Sequence, residues 1–359
     1  MGVNAAEVEG KVVVLGSLTV ESAGPGNFVS VGLGSNVIPN SGGDCIIVGG
    51  DLKAEKNIQV FNQSPDMKCD IVYKGSAVDS DRWKTNGEVR HDPNYDLREY
   101  ETMKFVLERK SMFWKTLPST GTVDEKWSTT TFKCSDNDDI QVFNIYPSDF
   151  NVFDKATSYQ FQKNCEGKTI LINVHGSGNI GIKAAAMYDF DGRKGYSPGQ
   201  FSTCFTESIL WNFPDADTVD IGNGATSEFH GSLLVTGNLI MSTTGHSGRT
   251  MVLGDITHDR GGSEFHSYQF APPFALPDPE NICDIPTFAP TTMAPTKAPT
   301  NAPTMDLNGC KALPQEVLTP LGKWATNDNE CKKCENGYKW WPCDAELCHG
   351  KGCKGDHFD

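Results

Sequence analysis

From residue 168 to residue 270 the chain alternates short apolar runs with turns rich in Gly, Asn, Asp, Ser and Thr. No helical period of 3.6 residues persists there, and β-branched and aromatic residues fit a pleated, half-buried surface, so the pattern predicts strands. The predicted strands are Thr169–Val174, Ser208–Phe213, Thr218–Ile221, Gly231–Val235, Asn238–Met241, Met251–Leu253 and His266–Phe270. Many short strands with regular turns are typical of a sandwich, a barrel or a coiled solenoid.

A degenerate repeat favours the solenoid. An apolar triplet, a glycine corner and a further apolar position occur near residues 12–18, 45–52 and 251–256, and more weakly at 71–75. If each unit forms one coil, its inward side chains pack on the next coil. We therefore predict a mainly β fold with a right-handed parallel β-solenoid body. A sandwich of similar strands is the alternative.

The segment from Asp92 to Leu117 follows a helical pattern instead. Its apolar stripe is made by Leu97, Tyr100, Met103, Leu107, Trp114 and Leu117. Asp92 is a suitable N-cap, Pro93 suits the first turn, and Pro118 ends the helix. We predict one long helix, at about 93–117, packed along the solenoid with its aromatic stripe in the core.

Five segments resemble a known family. The late ones are Ile209–Pro214, Phe229–Leu234 and Glu264–Phe270; the early ones are Val8–Val20 and the LPSTGT segment Leu117–Thr122 after the helix. Together they resemble the choice-of-anchor A domain, an adhesive domain of secreted and surface proteins. The resemblance implies a β-solenoid-like body and an extracellular adhesive role, and it brings no catalytic residue with it.

The charge balance excludes one class of partner. Lys plus Arg number 31 against 46 Asp plus Glu, which gives a net charge of −15. Nucleic-acid binding requires a basic surface, so we expect no nucleic-acid partner. No run of eighteen apolar residues is present, so we also expect no membrane span.

The cysteines fall into two sets of six. The first set is Cys45, Cys69, Cys134, Cys165, Cys204 and Cys283, and the second is Cys310, Cys331, Cys334, Cys343, Cys348 and Cys353. Even numbers predict two separate sets of disulfides and an oxidising compartment. The connectivity does not follow from the sequence. Our hypothesis for the first set pairs sequence neighbours, as 45–69, 134–165 and 204–283.

A proline-rich segment separates the two sets. Between residues 285 and 306 a proline recurs every four or five positions, each followed by Thr. Such a segment is a semi-rigid extended spacer, suited to O-glycosylation. We predict a solenoid domain at 1–284, a Pro-Thr linker at 285–306 and a Cys-rich module at 307–359.

The Cys-rich module contains three tryptophans and one tyrosine, namely Trp324, Trp340, Trp341 and Tyr338. Neighbouring positions on a strand face opposite sides, so one of the adjacent tryptophans is expected to be exposed. We hypothesise that these rings bind glycan. They could instead form the small core of the module. The CxxC pair Cys331–Cys334 leaves zinc binding as an alternative to disulfides.

Acidic turns suggest a calcium site. Asp136, Asp138 and Asp139 lie close together between two predicted strands, and Asp189 and Asp191 form a second such turn. Hard oxygen ligands on a tight loop can hold Ca²⁺, although neither turn has the spacing of an EF-hand. Asp and Asn are also ordinary turn residues. We expect no cofactor, with calcium at these turns as the alternative.

Two further functions stay open. Asp215, Asp217 and Asp220 could serve as paired carboxylates of a polysaccharide-acting enzyme with a β-helix fold. The Thr runs at 129–131 and 242–244 could belong to an ice-binding face, but they form no regular ladder. We rank both below non-catalytic adhesion, in which the partner is an extracellular polysaccharide or glycoprotein matrix.

The expected location is outside the cell, as a secreted or cell-wall protein. No signal peptide is visible at the start of the chain, which we interpret as a late start relative to the family. Asn62 lies in a sequon and is a candidate glycosylation site.

Overall fold

The computed structural model describes residues 2–3, 7–20, 30–31, 43–55, 57–60, 68–146, 156–183, 186–192, 194–195, 203–222, 228–242, 245–258, 264–266 and 268–279. Within these residues the fold is mainly β, as predicted, and most strand pairs are parallel.

Twelve described strands precede the long helix. They are β1 (Gly2–Val3), β2 (Glu7–Val8), β3 (Val12–Val14), β4 (Leu18–Val20), β5 (Ser30–Val31), β6 (Gly43–Val48), β7 (Leu52–Ala54), β8 (Ile58–Val60), β9 (Cys69–Tyr73), β10 (Ala77–Val78), β11 (Trp83–Thr85) and β12 (Val89–His91). A 3-10 turn at Ser80–Arg82 precedes β11.

The helix α1 spans Arg98–Trp114. The strands after it are β13 (Thr122–Lys126), β14 (Thr129–Lys133), β15 (Ile140–Ile145), β16 (Ser158–Phe161), β17 (Thr169–Val174), β18 (Asn179–Lys183), β19 (Ala186–Tyr188), β20 (Lys194–Gly195), β21 (Ile209–Phe213), β22 (Thr218–Gly222), β23 (Phe229–His230), β24 (Ser232–Val235), β25 (Asn238–Met241), β26 (Gly245–Ser247), β27 (Thr250–Val252), β28 (Ile256–His258) and β29 (Glu264–His266). A 3-10 turn lies at Lys163–Cys165, and a short helix α2 at Thr203–Glu207.

Five sheets assemble from these strands. Sheet A has the order β10-β7-β4-β1-β28-β25-β22-β18, and sheet B the order β11-β8-β5-β2-β29-β26-β23. Sheets C (β12-β9-β6-β3) and E (β15-β17-β21-β24-β27) are also parallel, whereas sheet D (β13-β14-β16-β19-β20) contains two antiparallel pairs. Successive strands rotate through the sheets, which is consistent with a solenoid-like architecture.

The stacking order differs from the chain order. The first strands, β1 and β2, pair with the late strands β28 and β29 on one side and with β4 and β5 on the other. The two ends of the described body therefore meet in the middle of sheets A and B. The N-terminal units extend in one direction from this junction and the C-terminal units in the other.

Glycine corners let the units stack closely, as the repeat indicated. At Gly237, a Cβ atom would lie 2.0 Å from the carbonyl oxygen of Ala216 in the neighbouring unit. No side chain fits at that distance. Gly10 has φ 79°, in the left-handed region, at the corner between β2 and β3.

The helix packs along the body, as predicted, and covers sheets C and E. Leu97 and Tyr100 at its start contact Ile47 and Val72 on the outer side of sheet C. Trp114 at its end joins an outer cluster on sheet E. That cluster also contains Val142, Leu171, Leu210, Leu234, Phe270 and Leu276.

The predicted start of the helix was wrong, because α1 begins at Arg98 rather than at Pro93. Asp92 does not act as its N-cap. The Asp92 carboxylate instead accepts a hydrogen bond from the backbone of Asn94, and Asp96 accepts one from the backbone of Arg98. Short polar side chains compete with the helix in this way, so they delay its first turn.

The strand predicted at His266–Phe270 is also corrected, since the observed strand β29 ends at His266. Phe270 leaves the sheet and packs in the outer cluster beside the helix, with Leu276. Residues 268–279 thus form a strap over the helix. The Trp114 Nε1–H donates to the carbonyl of Pro277 over 2.7 Å, and Lys110 pairs with Asp278 at 2.5 Å.

Two disulfides join neighbouring units in the described residues. They pair Cys45 with Cys69 and Cys134 with Cys165, which are two of the three pairs hypothesised from the sequence. Both fasten inner side chains of the core. Disulfides and an adhesive sequence pattern are consistent with an extracellular or surface protein.

Candidate functional site

Sheet A presents an exposed outer side, which we call the bare face. Its central row runs in register through Val78, Lys53, Thr19, Gly2, Thr257, Ile240, Asp220 and Gly181. Every side chain described in this row is half-buried or exposed, while the described side chains on either side of each one along its strand point inward, and most of them are fully buried. Alternation along each strand thus separates core from surface.

A second polar row flanks the central one. Asp51 accepts hydrogen bonds from the backbone N–H and the hydroxyl of Ser76, at 2.7 and 2.9 Å. These bonds lower the pKa of the Asp51 carboxyl, so this surface group stays negatively charged. Farther along, Asn238 accepts from the Asp255 N–H at 2.8 Å. The bare face therefore displays hydrogen-bonding groups on a regular backbone.

The three carboxylates considered for catalysis do not share one role. Asp215 pairs with Lys115 of the helix at 2.5 Å. Asp220 lies on the bare face and accepts from the Ser242 hydroxyl at 3.1 Å. Asp217 is exposed at a turn before β22. The structure gives two of these acids local structural partners.

The acidic turn at residues 135–139 binds a lysine side chain of the protein itself. The Lys168 ammonium donates to the backbone carbonyls of Ser135 and Asp138, at 2.8 and 2.6 Å. Asp136 accepts from the side-chain amide of Asn164. The Lys168 ammonium thus binds backbone oxygens of this turn, and the calcium site at Asp136, Asp138 and Asp139 stays a prediction.

The second acidic turn also has local partners. Asp189 is buried and accepts from the backbone of Asp191, whose carboxylate pairs with Lys163 at 2.6 Å. Across all described residues, no group of three or more His, Cys, Asp or Glu side chains is arranged to hold a metal ion.

A buried polar cluster lies where the two ends of the body meet. His266 of β29 donates to Glu9 at 2.9 Å through Nδ1 and to Glu264 at 3.2 Å through Nε2. Glu228 accepts from the Ser247 hydroxyl nearby. Burial lowers the pKa of His266, but its bonds to Glu264 and Glu9 outweigh burial and raise it to about 10. The charged histidine therefore links the first described unit to the last.

The chain matches a known protein family over most of its length. Residues 1–267 match the family described as "Putative Ice-binding-like adhesive domain". The chain belongs to this family. No curated protein and no solved structure matches it. The match supports an adhesive surface protein, as the sequence resemblance implied, and it ends before the predicted linker and the predicted Cys-rich module.

The Thr runs of this adhesive domain do not form one face. Thr130 is fully buried in β14, while Thr129 and Thr131 lie on the outer side of sheet D. Ser242 follows β25 at the edge of the bare face. The central row of the bare face carries two threonines, Thr19 and Thr257, among charged and aliphatic residues.

One exposed side chain of the adhesive domain was not predicted from the sequence. Trp127 lies at the tip of the β13–β14 hairpin and is 90% exposed. Trp127 and Ser128 both have positive φ, at 54° and 66°. Two polar segments joined by Trp-Ser could have indicated a β-hairpin, but those two residues are not typical of a hairpin turn.

Several predicted residues lie outside the described part of the chain. They are Asn62, Cys283, the six cysteines of the C-terminal module, and Trp324, Tyr338, Trp340 and Trp341. Cys204 falls in α2, and its side chain is not described. No helix among the described residues has the length and apolar character needed to cross a membrane.

Proposed function

We propose that the chain is a non-catalytic adhesive protein that acts outside the cell and holds a polysaccharide or glycoprotein matrix. The observation that carries the proposal is the bare face. Eight parallel strands present a regular outer surface with exposed hydrogen-bonding side chains, and the helix and strap cover a different side of the body. A rigid surface of this kind loses little conformational entropy on binding.

The mixed chemistry of the central row favours a polymer over ice. Lys53 and Asp220 carry opposite charges, and Val78 and Ile240 are aliphatic. Side chains of such different lengths can form hydrogen bonds and apolar contacts with polymer groups that lie at different heights above the sheet. A surface that orders ice would need a more uniform repeat, so ice binding is the second candidate, favoured by the family description and by Thr19 and Thr257.

The C-terminal module extends the proposal. In our interpretation the body is a choice-of-anchor A domain, the Pro-Thr segment is its stalk, and a disulfide-rich module with Trp324, Tyr338, Trp340 and Trp341 supplies a second glycan contact. Two modules on one spacer bind the same matrix with a gain in avidity that requires no new contact.

Retention on an insoluble matrix tests the bare face. We expect the full-length chain to be depleted from solution by chitin or cellulose, and Thr257→Tyr to weaken depletion about fivefold or more because a large ring disrupts the centre of the face. Met112→Tyr is the matched control, since Met112 is 43% exposed on the helix, away from sheet A. Trp340→Ala tests the module in the same assay.

Three outcomes would contradict matrix binding through the bare face, and a fourth would contradict the non-catalytic role. The first is equal depletion of both tyrosine variants, and the second is no depletion of the unmodified chain by any matrix tested. The third is thermal hysteresis that Thr257→Tyr abolishes while matrix binding is absent, which would favour ice as the ligand. Release of reducing sugar from the matrix would contradict the non-catalytic role.

A further inference from the structure

Trp127 is the most exposed large apolar side chain in the described residues. The others with substantial exposure are Val78, Met112 and Tyr146, which lie on other elements. The Lys126 ammonium lies 5.7 Å from the centre of the Trp127 ring, on one side of it. An indole at a hairpin tip removes no apolar surface from water in the folded protein, so core packing does not account for it.

The backbone at the tip is strained for this residue. A two-residue loop with positive φ at both positions is the type I′ turn, for which Asn-Gly is strongly preferred. Here the two positions hold Trp127 and Ser128. A bulky side chain in the left-handed region is unfavourable, and such strain is concentrated at binding sites.

The neighbouring unit holds the tip in place. The backbone N–H and the hydroxyl of Thr157 both donate to the Ser128 carbonyl, at 2.7 and 3.1 Å. The hydroxyls of Thr129 and Ser158 are 3.0 Å apart. The hairpin therefore presents the ring from a supported position, which reduces the entropy lost on binding.

A polar row crosses the same surface. Asp124, Thr131, Gln160 and Tyr188 lie in register on four adjacent strands of sheet D, and their side chains are exposed or half-buried. Adjacent strands are about 4.8 Å apart, so the row offers hydrogen-bonding groups at regular intervals and a second ring at its far end.

The charges around the hairpin cancel. Asp124 and Glu125 oppose Lys126 and Lys133, and Asp124 pairs with Lys133 directly. This balance provides no attraction for an anionic polymer or an anionic bilayer. The charged side chains of the edge strand β13 also disfavour the addition of another strand. The site thus combines a flat ring with neutral hydrogen-bonding capacity.

We propose that Trp127 and the row of Asp124, Thr131, Gln160 and Tyr188 bind a neutral polysaccharide. One sugar ring stacks on the indole, and hydroxyls of the following units bond to the polar row. This proposal rests on the matrix adhesion proposed above, and it names a ligand class and a site separate from the bare face.

Replacing the tip tests the proposal in the full-length chain. Trp127→Asn combined with Ser128→Gly removes the ring and installs the preferred turn. We expect a higher Tm, because the strain is relieved, together with retention on cellulose and chitin that is about fivefold to tenfold weaker. The matched control is Tyr146→Asn, which removes an aromatic side chain that is 49% exposed and stacked on His175. Its retention should be unchanged.

Each outcome distinguishes this site from the broader function. If the unmodified chain is retained and the tip variant is retained equally well, this site is wrong while matrix adhesion stands. If Thr257→Tyr also leaves retention intact, the bare face is wrong too. Binding to phosphatidylcholine vesicles that depends on Trp127, without retention on polysaccharide, would overturn this proposal in favour of a membrane partner.

Discussion

The bare face of sheet A and the covered face of sheet E are built from the same kind of strand, yet the first is exposed and the second is covered by the helix. On sheet E both sides of the strands are buried, so Leu171 and Leu210 point outward into the cluster beneath the helix. On sheet A most of the described outward positions are polar or charged, with Val78 and Ile240 as the aliphatic ones in the central row, and no described helix covers them. The outward residues, not the inward ones, decide which face is structural and which is displayed.

Asparagines make the covered face specific. Asn144, Asn173 and Asn212 stand side by side on β15, β17 and β21. Asn173 donates to the Trp114 carbonyl at 2.8 Å and to Asn144 at 2.9 Å, and it accepts from Asn212 at 2.9 Å. Asn212 also donates to the carbonyl of Ser111. This ladder binds the end of the helix, where the Ser111 and Trp114 carbonyls also accept from the backbone N–H groups of Lys115 and Leu117.

The largest effect should come from the helix anchor. Trp114→Ala removes a ring that is 5% exposed and leaves a cavity between sheet E and the strap. We expect a loss of about 3–5 kcal/mol in the free energy of unfolding, measured by urea denaturation. Met112→Ala, two residues earlier on the exposed side of the helix, should change it by less than about 0.5 kcal/mol. Similar losses in the two variants would show that the helix is not anchored by this ring.

A smaller effect should separate two asparagines on the two faces. Asn173→Ala removes one buried hydrogen-bond partner from the Trp114 carbonyl and one from the amide of Asn212, so we expect a loss of about 1–3 kcal/mol. Asn179→Ala removes the same group from an exposed position on the bare face and should cost less than about 0.5 kcal/mol. A comparable cost at the two sites would contradict the distinction between a structural and a displayed face.

Local pattern was sufficient to predict much of this arrangement. Strands such as 169–174 and 238–241 were predictable because apolar runs between turn residues have few alternatives. The helix was predictable from its stripe, although competing side-chain bonds of Asp92 and Asp96 moved its start. The right-handed winding and the domain limits stay predictions.

Long-range pairing was not accessible in the same way. Nothing in the repeat indicates that β1 lies between β4 and β28, because parallel pairing leaves no local turn signal. The Asn ladder was missed since single asparagines in strands do not reveal their neighbours. Trp127 was missed because an exposed aromatic residue at a turn contradicts the rules that otherwise locate hairpins.

A pH-dependent effect is expected at the junction between the chain ends. The folded pKa of His266 is about 10, above the value of about 6.5 for an unfolded chain, so its contribution to stability is complete below about pH 6.5 and is lost as the pH rises through 10. Burial also raises the pKa of Glu228, which acts in the same direction. The unfolded chain releases this proton near pH 6.5, so most of the His266 contribution is lost between pH 7 and pH 9.5, and we expect Tm to fall by several °C over this range.

A variant that cannot titrate isolates this contribution from the other groups that lose protons at high pH. His266→Gln can still donate a hydrogen bond to Glu9 or Glu264, but it carries no charge between the surrounding carboxylates. We expect a lower Tm at pH 7 and a flatter dependence up to pH 9.5. If the two proteins lose stability in parallel over this range, the charge on His266 does not hold the first and last units together, and the junction depends on the paired strands of sheets A and B.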